Sequence, residues 1–239
     1  MKRVLTAFAV ITIAATSVTT TLTKSVSAHG DVTPQAVDTA GLPKLGEVWL
    51  EENPWRDPTG ENWKRAIEVG ASGYNQNCAR CHGLGAVAGG LAPDLRVLSA
   101  DIDGDEWYLE RYRLGYTQNG ITKMPAFGEL LGQEAAWAIR TYVETRADTD
   151  SIEEHLDSLQ EIRKALQAMV DSGKPANSFA DQIEPLKSKM SEIAGKIGAA
   201  SGAPKADSVA ENAVDLLNGS ANSIAKAAEA LTVGLSAAK

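Results

Sequence analysis

Cys78-Ala79-Arg80-Cys81-His82 contains both cysteines of the 239-residue chain and determines how the rest of the sequence is interpreted. The spacing C-x-x-C-H is the attachment signature of c-type haem. Two thiols three positions apart have the reach to form one thioether each to the same porphyrin. His82, directly after them, is then placed to bind the iron. The sequence therefore predicts one covalently bound haem c.

Three other kinds of site share parts of this pattern, and each fits the chain less well. A thioredoxin-like redox pair is expected near alternating strands and helices, which the surrounding sequence lacks. A zinc site needs a fourth ligand, and the other two histidines, His29 and His155, lie in unrelated segments. A disulfide across so short a spacing would leave His82 without a role.

A sixth iron ligand has to come from elsewhere in the chain, and the candidates are Met124, Met169, Met190, His29 and His155. Met169 and Met190 occupy apolar positions of helical patterns, where methionine usually fills the core. Met124 lies instead between two helical segments, and Pro125 directly after it prevents helix propagation. A methionine in such a loop is free to reach the iron, so we expect Met124 to be the ligand.

Helical patterns surround the haem motif. Glu61 to Ala79 carries a face of small residues suited to close helix approach, formed by Ala66, Gly70 and Gly73 together with Tyr74. Gly132 to Arg146 predicts a second helix that crosses the first and closes the domain. A middle helix from Asp105 to Leu114 carries Trp107, Tyr108 and Tyr112, which either wall the porphyrin or pack in the core. No run of alternating strands is present, so we expect an all-α fold.

The stretch from about Gly46 to Arg146 resembles a small class I cytochrome c, with its haem motif, its Met-Pro loop and a closing helix. More narrowly, Ala66 to Gly83 and His29 to Gln35 are similar to the cytochrome c-550 type that accepts electrons from periplasmic quinoprotein alcohol dehydrogenases. The resemblance implies a quinoprotein (PQQ) alcohol dehydrogenase as electron donor and a downstream cytochrome or oxidase as acceptor. It also implies that the Pro93 carbonyl accepts a hydrogen bond from the axial imidazole of His82, a contact that tunes the metal.

The amino-terminal residues 1–28 have the pattern of a removable export signal. Lys2-Arg3 precedes the apolar stretch Val4 to Ala15, and Val26-Ser27-Ala28 is a cleavage site of the A-x-A kind. The apolar stretch is too short to span a bilayer. We expect a periplasmic protein with no membrane span after cleavage, in agreement with haem attachment outside the cytoplasm.

Charge argues against a nucleic acid as partner. The chain has 23 Lys and Arg against 31 Asp and Glu, a formal net charge of −8, and no basic run follows residue 3. Phosphate recognition requires clustered positive charge. An acidic carrier is instead steered by a basic patch on its partner, at rates that fall as salt rises.

Composition changes near Arg146, because the segment from residue 147 onward contains no aromatic residue except Phe179. We therefore expect four parts: a signal at 1–28, a wrapping segment at 29–61, a cytochrome c domain at 62–146 and a helical extension at 147–239. Apolar positions at helical spacing, Leu159, Ile162 and Leu166 among them, with caps at Ser151, Ser178 and Ser208, predict a three-helix extension. The alternative is a loose helical tail that becomes ordered on another surface.

Ligation by both His82 and Met124 would leave no open iron site, which favours an electron carrier over an enzyme. A haem peroxidase would need an open distal position with an acid-base residue, and no histidine falls between residues 83 and 154. General electron transfer to a terminal oxidase, or a docking module anchored by haem, is the alternative. We expect the extension to dock a partner or a second copy of the chain, and not to contribute to haem chemistry.

Overall fold

The structure is a computed structural model that describes residues 34–236. Residues 1–28 and His29 lie outside the described residues, so the export signal stays a prediction. Within residues 34–236 no helix combines the length and the apolarity needed to cross a bilayer.

Helices dominate the part of the chain that carries the haem motif. In chain order the elements are α1 (Trp63–Asn77), α2 (Ala79–His82), α3 (Ile102–Leu114), β1 (Tyr116–Gln118), β2 (Ile121–Met124) and α4 (Gly128–Glu144). Short 3-10 turns at Leu84–Ala86 and Leu95–Val97 lie between α2 and α3. The expected all-α class is confirmed, with one small addition in the form of a hairpin.

The hairpin lies where the sequence predicted an irregular loop. β1 and β2 pair antiparallel around Asn119 and Gly120, both at positive φ. An Asn-Gly pair in this conformation joins two strands with the correct twist. The strands are only three and four residues long and almost wholly exposed, so no apolar alternation signals them in the sequence.

The crossing of α1 and α4 closes the domain as predicted. A methyl group added at Gly70 would overlap the Ala138 carbonyl oxygen, so only glycine allows the two backbones to approach this closely. Tyr74 and Tyr142 pack beside this contact with ring centroids 5.4 Å apart. The small-residue face identified in the sequence is therefore the surface on which α4 packs.

A buried network of charges joins the wrapping segment to α3 and α4. The Asp105 carboxylate accepts hydrogen bonds from Arg56 Nη2 at 2.6 Å and from Arg140 Nε at 2.8 Å. Arg56 also contacts Glu144 at 3.0 Å, and Asn53 donates to both carboxylates. Asp105, Arg140 and Glu144 are fully buried. The partners are 35 or more residues apart in the sequence, except for Arg140 and Glu144. No local sequence pattern therefore predicts the network.

The extension is helical, as predicted, but residues 147–236 hold five helices and not three. They are α5 (Thr149–Glu153), α6 (Leu156–Asp171), α7 (Ala180–Ala194), α8 (Val209–Leu216) and α9 (Ser223–Ser236). The third expected helix is divided because Asn218 and Gly219 form a turn, with Gly219 at φ +80° and the Asn218 side chain accepting from Ser220 N. These helices bury a shared aliphatic cluster, which is not the arrangement of a loose tail.

The predicted helix caps have mixed outcomes. Ser208 accepts from Glu211 N at 3.3 Å and caps α8, as expected. Asp148, and not Ser151, caps α5. Ser178 lies within a 3-10 turn that precedes α7 and donates to Pro175 O, so its hydroxyl does not cap the helix. In the first incorrect case the helix begins before the serine that the pattern favours, and in the second a 3-10 turn does.

Candidate haem site

The junction between α1 and α2 positions the two cysteines. Cys78 N donates to Tyr74 O at 2.8 Å, and both Cys81 N and His82 N bond to Cys78 O. This continuous turn places the two thiols on neighbouring positions of one helical surface. Both cysteines are free and half-buried. Burial, together with the neighbouring Cys81, raises the pKa of Cys78 to about 12, so this thiol is protonated at neutral pH.

His82 is buried, and its Nδ1 lies 2.9 Å from the Pro93 carbonyl oxygen. A carbonyl oxygen only accepts, so Nδ1 carries the proton and Nε2 keeps its lone pair. Burial lowers the pKa of His82 and outweighs the opposing effects of Pro93 and Asp94. The imidazole is therefore neutral and oriented, which is the form that binds a metal.

The chain turns sharply after His82. Gly83 has φ +85°, and a methyl group there would overlap the Val87 carbonyl oxygen. Tyr74 reaches from α1 and donates its hydroxyl to Gly83 O at 2.9 Å. This turn begins the loop that returns to His82 through Pro93.

Met124, the predicted second ligand, ends β2 and is half-buried against the aromatic core. Its backbone is crowded by Gly115 at φ +70°, where a side chain would collide with the Met124 carbonyl. Phe127 N donates to Tyr112 O at 2.8 Å and anchors the chain just after Met124. The segment that carries Met124 is therefore held at both ends.

The alternative ligand candidates lie away from the cysteine motif. Met169 and Met190 are buried within the aliphatic cluster of the extension. His155 precedes α6 in the same region. His29 lies outside the described residues. Of the described methionines, Met124 alone packs against the same apolar cluster as Cys78.

The tyrosines of α3 are occupied by contacts within the protein. Tyr108 donates its hydroxyl to Ala136 O at 2.9 Å, and Tyr112 donates to Gly132 O at 3.3 Å. Burial raises the pKa of both phenols. Trp107 is half-buried, with the Arg111 guanidinium 4.0 Å from the ring centre. These contacts favour the core-packing interpretation of all three aromatic residues.

Sequence analysis did not single out Asp94 and Arg96, which directly follow Pro93. The Asp94 side chain caps the turn at Leu95–Val97 by accepting from Arg96 N. Burial opposes ionisation of Asp94, but its hydrogen bonds with Arg96 prevail and lower the pKa of the carboxyl. Asp followed two residues later by Arg is a common local pairing, so the pattern alone gives no functional signal.

The residues around the motif suit an iron porphyrin. The site offers two thiols for thioether bonds to the porphyrin and a neutral imidazole with a free Nε2 for the iron. The segments next to the motif and next to Met124 expose apolar side chains, namely Leu84, Leu91, Val97, Leu114, Tyr116, Ile121 and Leu130. Exposed apolar residues in such number mark a binding surface. A large planar apolar group is the kind of ligand that such a surface accommodates.

Comparison with known proteins agrees with this geometry. Residues 65–143 match the profile of the family described as cytochrome C oxidase, cbb3-type, subunit III. The chain is 54% identical to cytochrome c550 of Pseudomonas aeruginosa over 118 residues, which are 49% of this chain and 81% of that protein. The match over most of that relative shows a c-type cytochrome with covalently bound haem c.

Two enzymes of Pseudomonas putida match over shorter shares of their length. The chain is 33% identical to quinohemoprotein alcohol dehydrogenase ADH-IIG over 107 residues, 45% of this chain and 14% of the enzyme. It is 34% identical to quinohemoprotein alcohol dehydrogenase ADH IIB over 92 residues, 37% of this chain and 12% of the enzyme. No solved structure matches the chain significantly.

Proposed function

Because the chain belongs to the cytochrome c550 family and carries electrons, we propose that it is periplasmic and receives them from a quinoprotein (PQQ) alcohol dehydrogenase. The observation that carries the choice of donor is the similarity to short segments of two quinohemoprotein alcohol dehydrogenases. In those enzymes a segment like this chain is part of the dehydrogenase polypeptide. A separate chain of the same kind suits a dehydrogenase that passes its electrons to a mobile carrier.

We assign the haem contacts to four residues of this site. Cys78 and Cys81 form the two thioethers, and His82 and Met124 are the axial ligands. When bound, the haem supplies one-electron exchange, and His/Met ligation raises its potential relative to anionic ligands. Pro93 orients His82 through the 2.9 Å contact with Nδ1. With a side chain at each axial position, no site remains for peroxide, which supports a carrier over a peroxidase.

The test is reduction of the purified ferric protein by a quinoprotein alcohol dehydrogenase from the same source and its alcohol. We expect rapid reduction that slows as salt rises, because the chain is acidic and a cationic partner attracts it. A reaction without alcohol is the control. If no such enzyme reduces the protein and a different dehydrogenase reduces it quickly, the proposed donor is wrong.

The double variant Cys78→Ser with Cys81→Ser tests the thioethers separately. It is expected to contain no haem that survives acid-acetone extraction, whereas the native protein keeps its haem. Extraction of haem from the native protein would contradict covalent attachment at these two cysteines.

A second candidate function is electron delivery to a terminal oxidase, which the match to a cbb3-type oxidase family favours. The two candidates are compatible if the dehydrogenase is the donor and the oxidase is the acceptor. Oxygen uptake by membranes, stimulated by alcohol only when this protein and the dehydrogenase are both present, is the expected result. Stimulation without this protein would exclude it from that route.

A further inference from the structure

The extension is not separate from the haem-binding loop. A segment between α7 and α8 runs along the end of α4, with Asp148 N bonded to Gly198 O at 2.9 Å and Ala206 N bonded to Thr145 O at 3.1 Å. Within the same segment, Ser201 O accepts from Ala100 N at 3.0 Å. Ala100 belongs to the stretch that continues from Pro93 towards α3. The segment between α7 and α8 is therefore hydrogen-bonded both to the end of α4 and to the stretch that follows Pro93.

Arg96 makes the most direct of these connections. Its Nε and Nη2 bond to the Asp94 carboxylate at 3.0 Å and 2.6 Å, and its Nη1 donates to Ala147 O at 3.1 Å. Ala147 is the first residue of the extension. Only 7% of the Arg96 side chain is exposed. One guanidinium thus joins the loop that follows the haem motif to the start of the extension.

The contact between Arg96 and Asp94 affects the peptide group that joins Asp94 to Pro93. The Pro93 carbonyl belongs to the planar peptide group that also contains Asp94 N. Holding the Asp94 side chain therefore restricts rotation of the carbonyl that accepts from His82 Nδ1. The chain of contacts is continuous from Ala147 through Arg96, Asp94 and Pro93 to His82.

A cavity of about 350 Å³ lies beside Arg96, between this loop and the helices α8 and α9. Val87 lines it on the loop side, and Val233 lines it on the extension side. Arg96 lines this cavity, although little of its side chain is accessible to solvent. Its three hydrogen-bonded groups hold it in place.

We propose that Arg96 is a positioning residue that couples the helical extension to the iron ligand His82 by holding the Asp94–Pro93 peptide group between them. This inference rests on the proposed role of His82 as axial ligand. It revises the expectation that the extension makes no contribution to haem chemistry. The extension sets the strength of the His82–Pro93 hydrogen bond, and through it the reduction potential.

Arginine is required because it serves a carboxylate and a carbonyl at once. The planar guanidinium presents five donors, whereas a lysine ammonium is a single point that cannot reach both partners in this geometry. A firm Nδ1–H bond to a carbonyl makes the imidazole more basic and stabilises the ferric state. Loosening the peptide group therefore raises the reduction potential.

The test compares Arg96→Lys with Arg65→Lys in the full-length protein. Arg65 is a matched control, since its Nε donates to Ala40 O at 2.9 Å and its Nη1 pairs with Glu68 at 3.1 Å, away from the loop. We expect Arg96→Lys to exchange the His82 Nδ1 proton about tenfold faster by NMR of the ferrous protein. We also expect the redox equilibrium to shift about threefold towards the ferrous form, or about 28 mV. Arg65→Lys leaves both unchanged.

The inference would be overturned if Arg96→Lys and the native protein had the same His82 Nδ1 exchange rate and the same reduction potential. Equal shifts of both quantities in Arg96→Lys and Arg65→Lys would also overturn it. If Arg96→Lys fails to incorporate haem, Asp94→Asn is tested in its place. Asparagine keeps the shape of the Asp94 side chain and weakens its interaction with Arg96. Unchanged exchange and potential in Asp94→Asn would also overturn the inference. Failure of the proposed ligation looks different: the native ferrous protein would then show no iron-bound imidazole assigned to His82.

Discussion

The haem domain and the extension are both helical, yet their interiors have different chemistry. The interior of the first contains aromatic rings and the buried charges of Asp105, Arg140 and Glu144. The interior of the second contains Leu, Ile, Met and Ala with one aromatic ring, Phe179. Helix content alone therefore does not distinguish a cofactor domain from a structural one. The residues that fill the core do.

The two regions also differ at the surface. Apolar side chains are exposed at many positions of the haem domain, whereas the large apolar residues exposed in the described part of the extension are Val170 and Val233. The extension buries its apolar stripes within itself and leaves little of them for a partner. Docking and self-association through these helices stay predictions, and either would have to use mainly polar contacts.

The largest expected difference between the regions is the effect of losing a methionine. Met124→Ala is predicted to open the iron, giving a high-spin spectrum and carbon monoxide binding. Met190→Ala removes a fully buried side chain from the extension core and is predicted to lower the free energy of unfolding by about 2–5 kcal/mol. The Met-iron absorption band of Met190→Ala is expected to stay as in the native protein. Optical spectra and denaturant unfolding measure the two effects.

The reverse result would change the assignment of the ligand. If Met190→Ala or Met169→Ala binds carbon monoxide and Met124→Ala does not, the sulfur comes from the extension. The division between a redox region and a structural region would then be wrong.

Much of the haem domain can be predicted from the sequence because its signals are local. The Cys78 to His82 spacing, the small face around Gly70 and the helix-breaking Pro125 each lie within a few residues. The Arg56–Asp105–Arg140 network cannot be predicted in this way, because its members meet only after α3, α4 and the wrapping segment pack together. The Arg96 contact with Ala147 spans 51 residues and is hidden for the same reason.

The extension shows a different limit of sequence analysis. Its apolar seams are predicted correctly at Leu159, Ile162 and Leu166, since amphipathic spacing records which face is buried. Its helix boundaries are predicted less well, because capping patterns compete with turns such as Asn218-Gly219. A buried face is set by many residues, whereas a boundary depends on one or two.

The next largest difference between the two regions is the stability lost when an ion pair is removed. Asp105→Ala leaves two guanidinium groups without their shared carboxylate in a buried site, and we expect the free energy of unfolding to fall by about 3–5 kcal/mol. Glu161→Ala removes the exposed 3.9 Å pair with Lys189 in the extension and is the matched control. Urea unfolding should show no measurable change for the control. A comparable loss in both variants would indicate that burial does not determine the effect.

A smaller difference in stability is expected when glycines at helix contacts are replaced by alanine. Gly70→Ala places a methyl group against the Ala138 backbone carbonyl, which is held within α4. Gly234→Ala places a methyl group against the β-branched side chain of Val209, two residues before the end of α9, so that side chain has to move. Alanine gains about 1 kcal/mol of helix propensity at either site. Gly70→Ala, which overlaps backbone, is therefore predicted to destabilise by about 2 kcal/mol, and Gly234→Ala, which overlaps a side chain, by about 1 kcal/mol, as thermal unfolding will measure.

The smallest predicted difference is in acid sensitivity. Hydrogen bonds from Arg96 lower the pKa of Asp94 against the opposing effect of burial, and the hydrogen bond from Lys196 lowers the pKa of exposed Glu192 in the extension. An acid with a lowered pKa in the folded protein adds stability above its ordinary pKa. That stability is lost as pH falls through the folded value. Both groups therefore contribute to the decline of stability as pH falls below about 5 and through their lowered pKa values.

Salt separates the two contributions, because it screens exposed charges far more than half-buried ones. In 1 M NaCl, where the Debye length is about 3 Å, we expect Asp94→Asn to lose stability less steeply with acid than the native protein. Glu192→Gln should follow the native curve. Far-UV circular dichroism of urea unfolding at half-unit pH steps gives the slopes. If Asp94→Asn also follows the native curve, the Asp94–Arg96 pair is too hydrated in the folded protein to hold the Pro93 peptide group, and the coupling from the extension to His82 loses its central contact.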